Sequence, residues 1–92
     1  MGFRLMQPRF PLGKIYATPG AIALNVDLTA YLRRHHSGDW GDELCAEDKQ
    51  TNEDSLVHGT RILSRYATPG GSIYIITEWD RSMTTILLPE EY

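Results

Sequence analysis

The sequence predicts a single α+β domain in which an N-terminal helical half, of two to three helices, packs on a C-terminal three-stranded antiparallel β-meander. Three observations support this class. The chain has 92 residues, which is enough for one hydrophobic core and too few for two. Helix-capping residues and apolar spacings of three and four positions occur before Gly59. From Arg61 onward, runs with a period of two are separated by turn residues, which is typical of consecutive antiparallel strands.

The first residues predict an irregular arm that leads into the domain. Residues 1–11 contain two prolines and no sustained periodicity, so we expect an arm there and a single domain over residues 12–92. The segment 13–17 can form a short strand. Thr18 and Pro19 then favour a short helix, because a threonine side chain accepts a free amide bond of the first turn and proline is tolerated at the first helical position.

Two further helices are predicted before the final strands. Asp27 is a good N-cap for a helix over residues 28–36, and Gly38 is placed to end it. The clearest helix covers about residues 46–58 and ends at Gly59, and its acidic first turn suits the positive end of the helix dipole. Its apolar content is low, so we expect it to contact the core along a narrow stripe.

Three strands are predicted after the helices. They cover residues 61–67, 72–77 and 83–88, with a Thr-Pro-Gly-Gly turn between the first two and the polar segment 77–82 as the tip of the last hairpin. The last two strands are apolar on both faces, so one face should bury against the helices while the other needs cover. A homodimer interface, a different partner, or the first strand and the N-terminal arm folded across the sheet could supply that cover.

Charge is distributed unevenly along the chain. The net charge is −3, but residues 39–54 carry seven acidic side chains and one lysine. Such a segment is typical of an exposed helix face, and it could also attract a cationic protein partner or imitate the charge of DNA, as an anti-defence protein would. Direct nucleic-acid binding is not favoured, because the chain has no basic run and its net charge is negative.

Composition argues against several other classes. No apolar run approaches the ~20 residues that a transmembrane helix needs, and the N-terminus lacks the apolar core of a signal peptide. Cys45 is the single cysteine, so neither an intrachain disulfide nor a multi-cysteine zinc site can form. We therefore expect a cytoplasmic protein that contacts no membrane and carries no metal or other cofactor.

Two polar segments are candidate binding sites. The predicted hairpin tip combines carboxylates, a guanidinium and hydroxyls beside Trp79, which could bind an anion or a partner's guanidinium, and it could equally be a polar turn. In the loop after the second helix, an aspartate could fix a turn while a tryptophan fills the core. Together the candidate binding residues are Asp39, Trp40, Asp42, Glu78, Asp80 and Arg81.

A catalytic alternative comes from the order of the elements, since helices before an antiparallel meander loosely resemble barnase-like ribonucleases. Such enzymes need a general base, a general acid and arginines that bind the phosphate. The available candidates are His35, Arg61, Glu78 and Arg81, with His36 able to stand in for His35. No histidine follows Met83, where that family's acid would be expected, so the sequence favours a non-enzymatic protein.

Four ordered segments carry a family resemblance. They are GKIYATPGA (13–21), RHHSGDWGD (34–42), EDKQTNE (47–53) and IITEWDRSMTTILLPEEY (75–92). Together they resemble a family of small bacterial proteins called plasmid-related or hypothetical, and sometimes type I restriction endonuclease subunit M. The methyltransferase label does not fit, because the chain lacks a glycine-rich cofactor loop and is too short for a doubly wound domain. The resemblance implies an accessory protein of bacterial mobile DNA, and we expect a protein-interaction module.

Overall fold

The computed structural model describes residues 7–92, which form a mixed sheet with helices. The elements are β1 (Lys14–Ala17), α1 (Pro19–Ala23), α2 (Leu28–His36), α3 (Ala46–His58), β2 (Ile62–Thr68), β3 (Gly71–Thr77), β4 (Met83–Leu87) and a 3-10 helix (Pro89–Glu91). The four strands lie in the order β1-β4-β3-β2. β1 runs parallel to β4, and the β4–β3 and β3–β2 pairs are antiparallel.

The α+β class is confirmed, whereas the prediction of a three-stranded, purely antiparallel sheet is wrong. β2, β3 and β4 do form antiparallel pairs, but β1 adds a fourth strand in parallel. The helical elements also do not all precede the sheet, since β1 comes before α1 and the 3-10 helix follows β4. The strand order places the two most apolar strands in the interior, and a parallel partner for β4 needs a long connection, which here contains the three helices, β2 and β3.

The predicted helix ends are confirmed by local contacts. The Thr18 hydroxyl accepts the Ala21 amide at 3.1 Å and Pro19 occupies the first turn of α1. The Asp27 side chain accepts an amide of α2 in the same way. α3 ends at Gly59, whose φ of +72° is the left-handed conformation typical of a helix C-terminus.

The helices cover one face of the sheet. The β-sheet register places alternate residues of β2, β3 and β4 on this face, where they are almost completely buried. One apolar cluster lies under α1 and α2, and a second lies where the loop before α3 meets β2. Their buried members are Ala21, Tyr66, Ile73, Ile75 and Ile86 in the first cluster, and Phe10, Trp40, Leu44 and Ile62 in the second.

The opposite face is covered in part by the C-terminal segment, which was not among the predicted covers. The Tyr92 ring lies edge-on to Tyr74, with 5.3 Å between centroids, and the Arg61 guanidinium lies over the Tyr92 ring and donates to its hydroxyl. On this face Ile76 and Leu87 are buried. β1 does not fold across the sheet, because it extends the sheet at its edge.

The predicted arm over residues 1–11 lies partly outside the described residues. Within the described part, Phe10 is buried and the Arg9 amide donates to the His36 carbonyl at 2.9 Å, so this stretch is attached to the domain. Within residues 7–92, no helix combines the length and the apolar content that crossing a bilayer requires.

Candidate functional site

The β3–β4 hairpin tip, residues 78–82, is fixed in place by one arginine. Arg81 adopts a φ of +60°, and its Nη1 donates to the carbonyl oxygens of Thr60 at 2.6 Å, Glu78 at 3.1 Å and Trp79 at 3.3 Å. Its Nη2 donates to the Ser55 carbonyl at 3.0 Å. Ser55 lies near the C-terminus of α3 and Thr60 follows it, where the helix dipole is negative, so the guanidinium joins the tip to this end of α3.

The rest of the tip is presented to solvent. Trp79 is 67% exposed, which is unusual for so large an aromatic side chain. The Asp80 carboxylate accepts the Ser82 amide at 3.0 Å, and hydrogen bonds from the Ser82 side chain and then from this amide lower the pKa of Asp80. Glu78 is half-buried. The tip therefore offers an indole and two carboxylates on a rigid turn.

We expect Arg81→Ala to lower the free energy of unfolding by about 2 kcal/mol, because it removes charge-assisted bonds to four backbone carbonyls. Hydrogen exchange should also accelerate at the tip amides and in the last turn of α3, since both depend on the guanidinium. Arg33→Ala is the matched control, because Arg33 is exposed on α2 and its loss should change stability by less than about 0.5 kcal/mol. Equal effects of the two variants would contradict a clamping role.

Two carboxylates at the loop after α2 are held by arginines, while Asp42 is exposed. Arg34 donates to Asp39 at 2.7 Å and lowers its pKa. Trp40 donates its indole N–H to Glu53 at 2.9 Å, and Arg9 binds both oxygens of Glu53 at 2.9 and 3.0 Å, which lowers the pKa of Glu53. Of the two roles predicted for this loop, Asp39 therefore fixes the turn and Trp40 fills the core.

Phe10 lies between the loop and the hairpin tip. Its ring stacks on Trp40 with 6.0 Å between centroids, and the Arg81 guanidinium carbon lies 5.9 Å from its centroid. Trp40 is only 4% exposed, however, so it cannot reach a partner. The two segments therefore both contact Phe10, and the exposed acids of the loop are Asp39, Asp42 and Glu43.

His35 is fully buried within a chain of hydroxyl groups. Its Nδ1 lies 2.6 Å from the Ser64 hydroxyl and its Nε2 lies 2.9 Å from the Thr77 hydroxyl. Thr77 contacts Thr84 at 2.7 Å, and Thr84 donates to the Leu12 carbonyl at 2.7 Å. Burial, and to a smaller extent the neighbouring His36, lower the pKa of His35 to about 3. The imidazole links α2 to the sheet and has no access to a substrate.

The four catalytic candidates do not meet in one cleft. His35 lies inside the core, Arg61 contacts Tyr92 on the opposite face of the sheet, and Arg81 is bound to backbone carbonyls. A cleft of about 300 Å³ lies at the β2–β3 turn, with Arg65 and Pro89 in its wall, and none of the four candidates lines it.

The acidic segment is partly neutralised within the chain. Of its seven acids, Asp39, Glu43 and Glu53 form ion pairs with arginines at 2.7, 3.3 and 2.9 Å. Exposed carboxylates remain at Asp42, Glu47, Asp48 and Asp54. The surface is therefore less negative than the sequence suggests, and this weakens its likeness to a DNA backbone.

Comparisons with known proteins identify no relative. The chain matches no family model, no curated protein and no solved structure. The resemblance to plasmid-related proteins therefore stays a prediction. Within residues 7–92, no group of three or more histidine, cysteine, aspartate or glutamate side chains is arranged to hold a metal ion.

Two features of the site were not predicted from the residues. The sequence places Trp79 beside polar groups but does not indicate that it is the most exposed aromatic residue of residues 7–92. It predicts Arg81 as a ligand-binding cation, whereas the hydrogen bonds of its guanidinium are made within the chain. Neither feature has a local sequence signal, because the exposure of Trp79 and the bonds of Arg81 to Thr60 and Ser55 depend on the tertiary fold.

Proposed function

We propose that the protein is a non-enzymatic interaction module, a cytoplasmic accessory protein of bacterial mobile-element type, which binds a cationic segment of a partner protein through the hairpin tip. The observation that supports this most is Trp79, which is 67% exposed on a turn that Arg81 holds to α3. Aromatic side chains on rigid elements are the usual anchors of protein interfaces, because they bury much area at little cost in conformational entropy.

The charges around Trp79 favour a cationic ligand. Glu78 and Asp80 flank the indole, and the face of an indole attracts ammonium and guanidinium groups. The carbonyl groups at the end of α3 lie against the Arg81 guanidinium and offset its positive charge. Arg81 therefore repels an incoming cation only weakly. A lysine or arginine of the partner can lie against Trp79 while it pairs with the carboxylates.

The alternative functions have less support. A barnase-like ribonuclease needs a base, an acid and arginines around one phosphate, but His35 is buried and Arg61 and Arg81 bind other parts of the chain. A DNA mimic needs an unbroken acidic surface, and three acids of the 39–54 segment are paired with arginines.

The proposal predicts that a labelled hexa-arginine peptide binds the protein, measured by fluorescence anisotropy at about 50 and 300 mM salt. Trp79→Ala should weaken binding at least about tenfold, and Asp80→Asn about two- to fivefold, with a smaller salt dependence in the latter. The matched controls are Ile22→Ala, an exposed apolar residue on α1, and Asp48→Asn, an exposed acid on α3. Neither control should change affinity by more than about twofold.

Two results would contradict this proposal. Absence of binding at about 1 mM peptide would remove the hairpin tip as a cation site, and an equal loss of affinity in Asp48→Asn and Asp80→Asn would move the site to the acidic face of α3.

Incubation with RNA tests the enzymatic alternative. Cleavage by the wild type that disappears in both Glu78→Ala and Arg81→Ala would favour a ribonuclease.

A further inference from the structure

The two edges of the sheet differ in how their backbone groups are satisfied. At the β2 edge, the Asn52 side chain bonds both backbone groups of Leu63, at 2.6 and 3.0 Å, and the Arg65 amide donates to the Trp40 carbonyl at 3.1 Å. The α3 side of the domain thus closes this edge. Edge strands left open are templates for pairing with another chain, and native proteins usually block them.

At the other edge, β1 presents backbone groups that no described residue binds. The Lys14 amide donates to the Ser82 carbonyl at 3.0 Å and the Thr18 amide donates to the Ile86 carbonyl at 2.9 Å, so the even-numbered residues face β4. In a strand, the backbone N–H and C=O groups of successive residues point to opposite sides, so those of Ile15 and Ala17 point away from the sheet. Ile15 and Tyr16 are each 50% exposed along this edge.

We infer that β1 pairs with β1 of a second copy in antiparallel orientation, which joins two sheets across a twofold axis. The segment free to pair is bounded by Gly13, whose φ of +66° ends the extended backbone, and by Pro19, which has no N–H. Its centre is Tyr16. With Tyr16 on the axis, Ile15 of each copy lies opposite Ala17 of the other, and these two pairs form four N–H···O bonds.

The charges at the ends of β1 match this register. Lys14 of one copy lies opposite Thr18 of the second, on the same face of the joined sheet. The Thr18 hydroxyl donates to the Glu91 carboxylate at 2.7 Å, so each Lys14 meets a carboxylate that is already oriented. The same symmetry makes two such contacts, and no like charges face each other. A self-complementary patch of this kind is what a twofold dimer requires.

The inference is independent of the proposed function and is tested by sedimentation velocity on the full chain from about 5 µM to 1 mM. The weight-average mass should rise from 10.4 kDa toward twice that value, because so short an interface gives weak association. Ile15→Lys should raise the dissociation constant at least about tenfold by placing two charges at the strand pair. Val57→Lys is the matched control, since Val57 is 79% exposed on α3 and should leave association unchanged.

Hydrogen exchange supplies a second readout that a change in folding would not imitate. The amides of Ile15 and Ala17 should become protected at about 1 mM protein and exchange freely at about 10 µM, whereas the Tyr16 amide faces β4 and should be protected at both. A monomer up to 1 mM, a dimer that Ile15→Lys leaves intact, or unchanged exchange at Ile15 and Ala17 would overturn the inference.

Discussion

Gly41→Ala is expected to destabilise the fold by at least about 4 kcal/mol, which is at the upper end of single-residue effects. Gly41 is buried with a φ of +95°, and a Cβ built there lies 1.9 Å from the carbonyl oxygen of Arg65. That oxygen belongs to the backbone of β2 and cannot rotate away, so the loop must separate from the sheet. Separation breaks the bond between the Arg65 amide and the Trp40 carbonyl. Urea denaturation followed by circular dichroism measures the loss.

Gly59→Ala is the matched control for this prediction. Gly59 also has a positive φ, +72°, but a Cβ there meets no atom within 4 Å. Its replacement costs only the strain of a left-handed backbone, about 1 to 2 kcal/mol. The difference between the two variants therefore isolates the steric contact with Arg65. Similar losses for both would show that the close approach of the loop to β2 contributes little.

The elements of the fold could be predicted from local signals, whereas the position of β1 could not. Thr18, Asp27 and Gly59 mark helix ends by side-chain and backbone chemistry that needs no tertiary context. The pairing of β1 with β4 depends on residues about 70 positions apart, and a four-residue strand carries too little pattern to specify a partner. The cover supplied by Tyr92 was missed for the same reason, because it rests on one long-range ring contact.

The candidate site was predicted as a segment but not in its chemistry. The polar hairpin tip was identified from turn residues between two apolar runs, which is a local feature. Whether a charged group in such a turn is free depends on what the tertiary fold places beside it, and Arg81 lies against carbonyls of α3. The contacts of Asp39 and Trp40 could not be predicted, because their partners, Arg34 and Glu53, come from two different helices.

The hydroxyl chain around His35 determines which imidazole nitrogen carries the proton. A carbonyl only accepts, so the Thr84 hydroxyl proton is committed to Leu12, and the Thr77 hydroxyl must donate to Thr84. Thr77 therefore accepts from Nε2–H, and Nδ1 accepts from Ser64. A protonated imidazole would make both nitrogens donors, and the Ser64 hydroxyl would then have to turn and accept. The native state holds His35 neutral by burial and, to a smaller extent, by the neighbouring His36.

Stability is accordingly expected to fall by about 2 to 3 kcal/mol between about pH 7.5 and 4.5. The pKa of His35 is lowered from 6.5 to about 3 in the folded state. Below pH 6.5 His35 binds a proton in the unfolded chain, whereas in the folded chain it does not do so until about pH 3. The free energy of unfolding is therefore highest above pH 6.5 and decreases as the pH falls. Urea denaturation at half-unit pH steps measures the slope, which should approach about 1.4 kcal/mol per pH unit.

The variant His35→Gln separates this effect from other titrations. It cannot bind a proton in this range, so its stability should be lower at pH 7.5, by about 2 to 4 kcal/mol, but should vary little down to pH 4.5. Asp39 and Glu53, whose carboxyl pKa values are lowered by Arg34 and Arg9, lose their stabilising effect only as the pH approaches the ordinary carboxyl pKa, so they add to the slope only at the acidic end of this window. His58→Gln, at the exposed end of α3, should retain the slope of the wild type. If the slope persists in His35→Gln, another group carries the pH dependence, and burial of His35 is not its source.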